Sequence, residues 1–159
     1  KCNCNSSFTK STPKYWVLIM KVNQQIIDFI NEHHLLTLAT SQNNTPYCCN
    51  VFYVYDSLSN QLIFSSDTKT KHAQDFITNP NVAGTIALET KEIGKIQGVQ
   101  LLGTIQELKT EELEIATKQY MNAFAYAKNM EIHLWAMQLK FIKMTHNKFG
   151  FGKKLVWKK

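Results

Sequence analysis

Apolar positions change period several times along the chain, and each change marks an element. Val22, Ile26, Ile27, Phe29 and Ile30 recur at helical spacing, so residues 22–33 read as an amphipathic helix. The stretch HLLTLATS then favours β-branched and apolar residues and predicts a strand at 34–41. QNNTP is a turn, and YCCNVFYVYD, residues 47–56, is a long strand rich in aromatic and β-branched side chains. SLSN makes a hairpin turn and QLIFSS the partner strand. A polar segment, FSSDTKTKHAQDF at 64–76, opens a helix that runs to Asn79, where Pro80 stops it because the residue before proline disfavours the helical region. NVAGTIAL, 81–88, is a further strand. IGKIQGVQLLGTIQEL, 93–108, alternates and carries Gly94, Gly98 and Gly103, which in a strand pattern mark bulges or sharp coiling. KTEELEIATKQYMNAFAYAKNM is helical, with Thr110 as its cap and glutamates in its first turn. IHLWAMQLKFIKMTHN, 132–147, is a strand followed by a turn, and FGFGKKLVW closes the chain as a last strand.

Strands in runs, joined by hairpins and interrupted by isolated helices, predict an α+β fold built on a small antiparallel barrel. The 159 residues favour one domain large enough to need no disulfide or metal staple. Residues 1–19 are polar and unpatterned and read as an extension, with the domain at 20–159. YWVLIM, 15–20, is too short to cross a membrane. The 18 basic side chains exceed the 12 acidic ones, for a net charge of +6, which suits an anionic partner. All 18 are lysine. Without arginine the chain lacks the usual tool for reading guanine edges, which argues against a sequence-reading nucleic-acid protein, whereas lysine still holds a phosphate as a point charge. Cys2, Cys4, Cys48 and Cys49 form neither a disulfide framework nor a zinc pattern, so reduced thiols in a cytoplasmic protein are expected and no metal site is assigned.

No G-x-G-x-x-G or Walker loop is present. Residues 65–71 are the one candidate for a phosphate. They end a strand and open a helix, where free N–H groups and the helix dipole attract an anion. Ser65, Ser66 and Thr70 add hydroxyls, and Lys69 and Lys71 add charge. The same residues equally fit a plain helix start capped by Asp67 or Thr68 with both lysines in water. His72 reads as a solvent-facing first-turn histidine, with a ligand- or substrate-facing role as the alternative. Cys49 reads as a packing residue. Trp135 and Trp157 read as core or interface aromatics, and Lys153 and Lys154 as solvated or as neighbours of an anion at a dimer seam. No paired carboxylates and no Ser-His-Asp or Cys-His set can be argued.

The ordered segments TPYCCNVFYVYD, LIFSSDTKTKHAQDFITNPNVAGTI and IQGVQLLGTIQEL resemble the FMN-binding split barrel of the pyridoxamine 5'-phosphate oxidase superfamily. The closing GFGKKLVW is similar to the small YhbP-like branch, and the resemblance covers residues 20–157. It implies a six- to seven-stranded antiparallel split barrel with flanking helices that works as a homodimer. It implies a flavin edge along Cys49, Asn50, Val51 and Phe52, contacted largely through backbone groups. It implies an FMN phosphate at Ser65, Ser66, Thr70 and Lys71, and it brings Gln97 or Gln100 near the subunit interface, of which Gln97 is taken as the cofactor contact. The founding oxidase grips its substrate's phosphate with arginines, which this chain lacks, so efficient oxidation of pyridoxamine phosphate is not expected. The leading expectation is an FMN-dependent oxidoreductase acting on a small molecule. The rivals are a non-catalytic binder of FMN, haem or a deazaflavin on the same barrel, and a basic nucleic-acid-binding barrel.

Overall fold

The structure, a computed structural model, describes residues 21–147, 150 and 152–159. The extension expected at 1–19 lies outside the described residues. Helix α1 (Gln24–Glu32) is followed by β1 (Leu35–Gln42), β2 (Thr45–Asp56) and β3 (Gln61–Ser65), then α2 (Lys71–Thr78). β4 (Asn81–Ala87) and β5 (Gln97–Glu107) come next, then α3 (Thr110–Ala123), β6 (Leu134–His146) and β7 (Lys154–Lys158). All pairings are antiparallel, in the order β3-β2-β1-β4-β5-β6-β7, and β3 also pairs with β6. That pairing closes β1–β6 into a six-stranded barrel and leaves β7 as an added strand on β6. The fold is the α+β barrel that the alternation of elements predicts.

Closure demands strong coiling, and β5 supplies it at the expected glycine. The β5–β6 register shifts between Leu102 and Gly103, and a Cβ at Gly103 would lie 2.5 Å from the Gln138 carbonyl oxygen. Only glycine lets the two backbones approach so closely at this bulge.

The barrel interior is one apolar core, filled by inward residues such as Leu36, Leu38, Tyr53, Leu101, Met137 and Ile142. α1 adds Ile26, Phe29 and Ile30 to it, and α2 adds Ala73 and Phe76. α3 lies elsewhere, its Ala116 and Tyr120 packing on Ile63, Leu134 and Ala136 from the outer side of β3 and β6. Two details depart from the sequence reading. The expected helix through Met130 stops at Ala123, and residues 125–129 form a tighter 3₁₀ turn. Thr110 does not cap α3 but is its first residue, with a φ of +48°, and no side-chain cap is made there.

Outward residues of β2, β1, β4 and β5 form continuous rows. One runs Asn50, Thr37, Thr85, Gln100, and the next runs Cys48, Ala39, Ala83, Leu102. Across 48–52, 35–39, 83–87 and 98–102 there is no charged side chain; the first row meets charge at Lys143 of β6, and the second, through Phe141, at Lys158 of β7. Leu35, Phe52 and Leu102 stand exposed on this face.

Candidate functional site

β2 pairs with β1 from Thr45 to Phe52 and with β3 from Tyr53 to Asp56, so up to Phe52 its β3-side edge carries no strand. Tyr53 N–H donates to the His34 carbonyl, on the β1 side. Backbone direction alternates along an antiparallel strand, so Asn50 and Phe52 turn their N–H and C=O groups to the open edge. Opposite that edge lies the turn from β3 into α2. Between them is a cleft of about 310 Å³, lined by Asn50, Val51 and Phe52 on one side and Ser65, Ser66, Asp67, Thr70 and His72 on the other. Tyr120, Tyr126, Met130, Glu131 and Ile132 close its end.

The turn is tightly held. Ser66 is buried. Its N–H donates to the His133 carbonyl at 3.0 Å, and its own carbonyl accepts from the Trp135 indole at 3.0 Å. Its hydroxyl lies 3.0 Å from the Thr70 hydroxyl and 2.6 Å from His72 Nε2, which is 3.2 Å from Thr70 Oγ1. The cap of α2 is Thr70, not Asp67 or Thr68: its side chain accepts from Ala73 N–H, while Asp67 accepts instead from Lys69 N–H inside the turn. The cap and the first helical bond use the N–H groups of Ala73 and Gln74, leaving those of Lys71 and His72 outside the helical ladder. Hydroxyls and helix-start N–H groups beside an open strand edge form a donor set suited to an anion with a flat ring system attached.

The sequence-based candidates divide. Asn50, Val51, Phe52, Ser65, Ser66 and Thr70 come together in the cleft. Cys49 turns to the core, where burial and the neighbouring Cys48 push its thiol up to about 11, so it carries no thiolate at neutral pH. Gln97 lies on another side, among α1 residues and opposite His146, whereas Gln100 sits in the charge-free outward row. Lys71 is not among the cleft residues. Its amine forms an ion pair with Asp75 one turn along α2 and lies 5.6 Å from the Tyr47 ring centre.

Asp75 is buried and also accepts from the Thr40 hydroxyl at 2.9 Å. The Lys71 hydrogen bond, helped by Thr40, holds its carboxyl below the usual 3.8. The stability this contributes is complete above the ordinary carboxylate pKa and is lost as pH falls through the lower folded value. A Lys71→Ala variant leaves that carboxylate buried without its cation, so its melting temperature is expected to drop by about 5 °C, read by scanning calorimetry. Its ligand preference in the cleft is expected to persist.

His72 is where the sequence reading needs correction. It is half-buried and bonded into the turn rather than solvent-facing, because it follows the cap by two residues and so turns back over it. Burial lowers its pKa below 6.5, with Asp75 acting in the opposite sense. Tyr120 and Tyr126 were not foreseen. Burial raises the Tyr120 pKa, and the Tyr126 phenol beside it acts in the same sense. Phe124 and Tyr126 lie 5.6 and 6.5 Å from the Phe52 ring, giving the cleft an aromatic end wall. The aromatic pair in AFAY, where the helix breaks, was the available signal.

A closed six-stranded barrel with a cleft at the split between β2 and β3 defines the split-barrel class. The chain belongs to the pyridoxamine 5'-phosphate oxidase family, whose model matches residues 22–147. It is 38% identical over 132 residues to a UPF0306 protein of Yersinia enterocolitica, spanning 83% of this chain and 90% of that one. A haem-binding protein of Mycobacterium smegmatis has the same fold at a TM-score of 0.70 and 18% identity, over 82% of this chain and 55% of that one. A FAD-binding protein of Mesorhizobium loti matches at 0.63 and 13%, over 77% and 93%. Among the described residues no three His, Cys, Asp or Glu side chains gather as a metal site, and no helix is long and apolar enough to span a membrane.

Proposed function

We propose that the protein is a homodimeric flavoprotein that holds FMN in the cleft between the open edge of β2 and the start of α2, and exchanges electrons or hydride with a small molecule there. The observation that carries this reading is the facing of two unlike surfaces. The Asn50 and Phe52 backbone groups offer donors and acceptors to a ring edge, and the Ser66, Thr70 and helix-start N–H set receives a phosphate. A bound flavin would supply the redox chemistry. The chain's own task is then to bind, to orient through the β2 edge, and to exclude water with Phe52, Phe124 and Tyr126. This explains why no acid–base pair is needed in the cleft.

The charge-free face supports the dimer. Exposed apolar residues on a patch without charge are a common mark of a subunit interface. Phe52 and Asn50 belong both to that face and to the cleft, so a second copy seated on the face would border the flavin. The absence of arginine speaks against pyridoxamine phosphate as substrate.

The test is direct. Protein incubated with FMN and then desalted is expected to retain the absorption of oxidised flavin at close to one flavin per chain. A colourless protein would overturn the reading. The haem-binding neighbour raises haem as a second reading for the same barrel, and a Soret shift on titration with haemin, without retention of flavin, would favour it.

A further inference from the structure

We infer that His72 is the cation of the phosphate seat, so that FMN binding takes up a proton at its imidazole. This rests on the flavin reading and adds to it a pH-dependent grip.

Among the described residues that line the cleft, His72 is the only one able to take positive charge, and the two other charged residues there, Asp67 and Glu131, are acids. Of the nearby lysines, Lys71 is held by Asp75 beside Tyr47, and Lys69 lines the adjoining cleft, which shares Ser65, Asp67, Glu131 and Ile132 with this one but includes neither Ser66 nor Thr70. A dianionic phosphate placed against Ser66 and Thr70 would therefore meet hydroxyls, N–H groups and one imidazole, with acidic residues at the margin. His72 Nε2 already points at both hydroxyls, at 2.6 and 3.2 Å, so a phosphate oxygen displacing either contact would reach the same nitrogen.

The groups around His72 fit this role. Asp75 and the Phe76 ring face it from its own helix, the ring centre at 6.2 Å. Ser66, Thr70 and Asp67 belong to the turn, and Tyr120, Tyr126 and Glu131 face the same cleft from the α3 side. Desolvation disfavours the charged ring in the free protein, while Asp75 favours it. Adding a phosphate dianion tips that balance towards imidazolium. The binding equilibrium then consumes one proton, and affinity falls as pH rises past the pKa of the free protein until it reaches that of the bound state.

The test uses full-length protein, with FMN and riboflavin as probes, between pH 7 and 9, where the FMN phosphate stays dianionic because its second pKa is about 6. The FMN dissociation constant is expected to rise by up to about tenfold per pH unit, the slope of a single coupled proton. Riboflavin binding should stay flat. Calorimetry in buffers of different ionisation enthalpy should read proton uptake on FMN binding in the lower part of this range. His72→Lys keeps a fixed charge and is expected to bind FMN at least as tightly as the wild type at pH 7, with no slope. His72→Gln should bind FMN weakly at every pH. A flat FMN profile in the wild type, or the same slope in both variants, overturns the inference and leaves the flavin reading standing. Absence of flavin binding at every pH overturns both.

Discussion

Leu102→Asp is expected to run as a monomer in light scattering where the wild type runs as a dimer, and to bind FMN at least about tenfold more weakly. Leu102 is half-exposed in the single chain and sits in the row Cys48, Ala39, Ala83, Leu102, within a patch that carries no charge. A carboxylate placed at the centre of a packed interface loses its hydration without gaining a partner, a cost of about 3 kcal/mol or more. The fold itself should survive, because the side chain points away from the barrel core, and an unchanged melting profile for the separated subunit would show this. Leu113→Asp on α3, also exposed but away from the patch, is the control and should remain dimeric with full FMN binding. A dimeric Leu102→Asp protein would place the interface elsewhere. A monomer with undiminished FMN affinity would show that one subunit makes the whole site.

Thr70→Val should separate the phosphate from the ring. The substitution keeps the shape but removes the hydroxyl that caps Ala73 N–H, donates to the Asp67 carbonyl at 2.8 Å and lies 3.0 Å from Ser66 Oγ. Loss of a cap of this kind costs about 1 kcal/mol of stability, measurable by denaturant unfolding. Loss of a phosphate contact is a different quantity. FMN affinity is expected to fall about tenfold while riboflavin affinity stays within about twofold, because a hydrogen bond to a charged group is worth about 1.5–3 kcal/mol and riboflavin has no such group. Equal losses for both ligands would mean that Thr70 only shapes the turn. No loss for either would remove the turn from the site.

Much of this architecture could be read from the chain because its elements announce themselves locally. The alternation in YCCNVFYVYD, the hairpin at SLSN and the stop at Pro80 each act within a few residues. Gly103 was legible as a bulge for the same reason. Closure of the barrel was not, since β3 meets β6 across some seventy residues of chain and no local pattern encodes that pairing. The early end of α3 was also hidden, because AFAYAKNM is compatible with a helix; its rings instead gather with Phe52 at the cleft.

In the cleft, the density of hydroxyls ahead of a helix singled out Ser66 and Thr70, which the fold brings together there. Which of the two adjacent basic residues contacts them follows from helix geometry. Lys71 and His72 are adjacent in sequence, but on a helix adjacent side chains point about 100° apart. One turns to Asp75 and Tyr47, the other to Ser66. The spacing of Lys71 and Asp75, four apart, was a visible sign that the lysine had a partner of its own.

The central claim is that the cleft binds a flavin through its phosphate, and the ratio of two dissociation constants tests it most directly. Fluorescence titration of the wild-type protein with FMN and with riboflavin, at pH 7 and moderate salt, should give FMN the tighter binding by at least about tenfold, or about 1.4 kcal/mol. Equal affinities, or quenching of neither flavin, would contradict it.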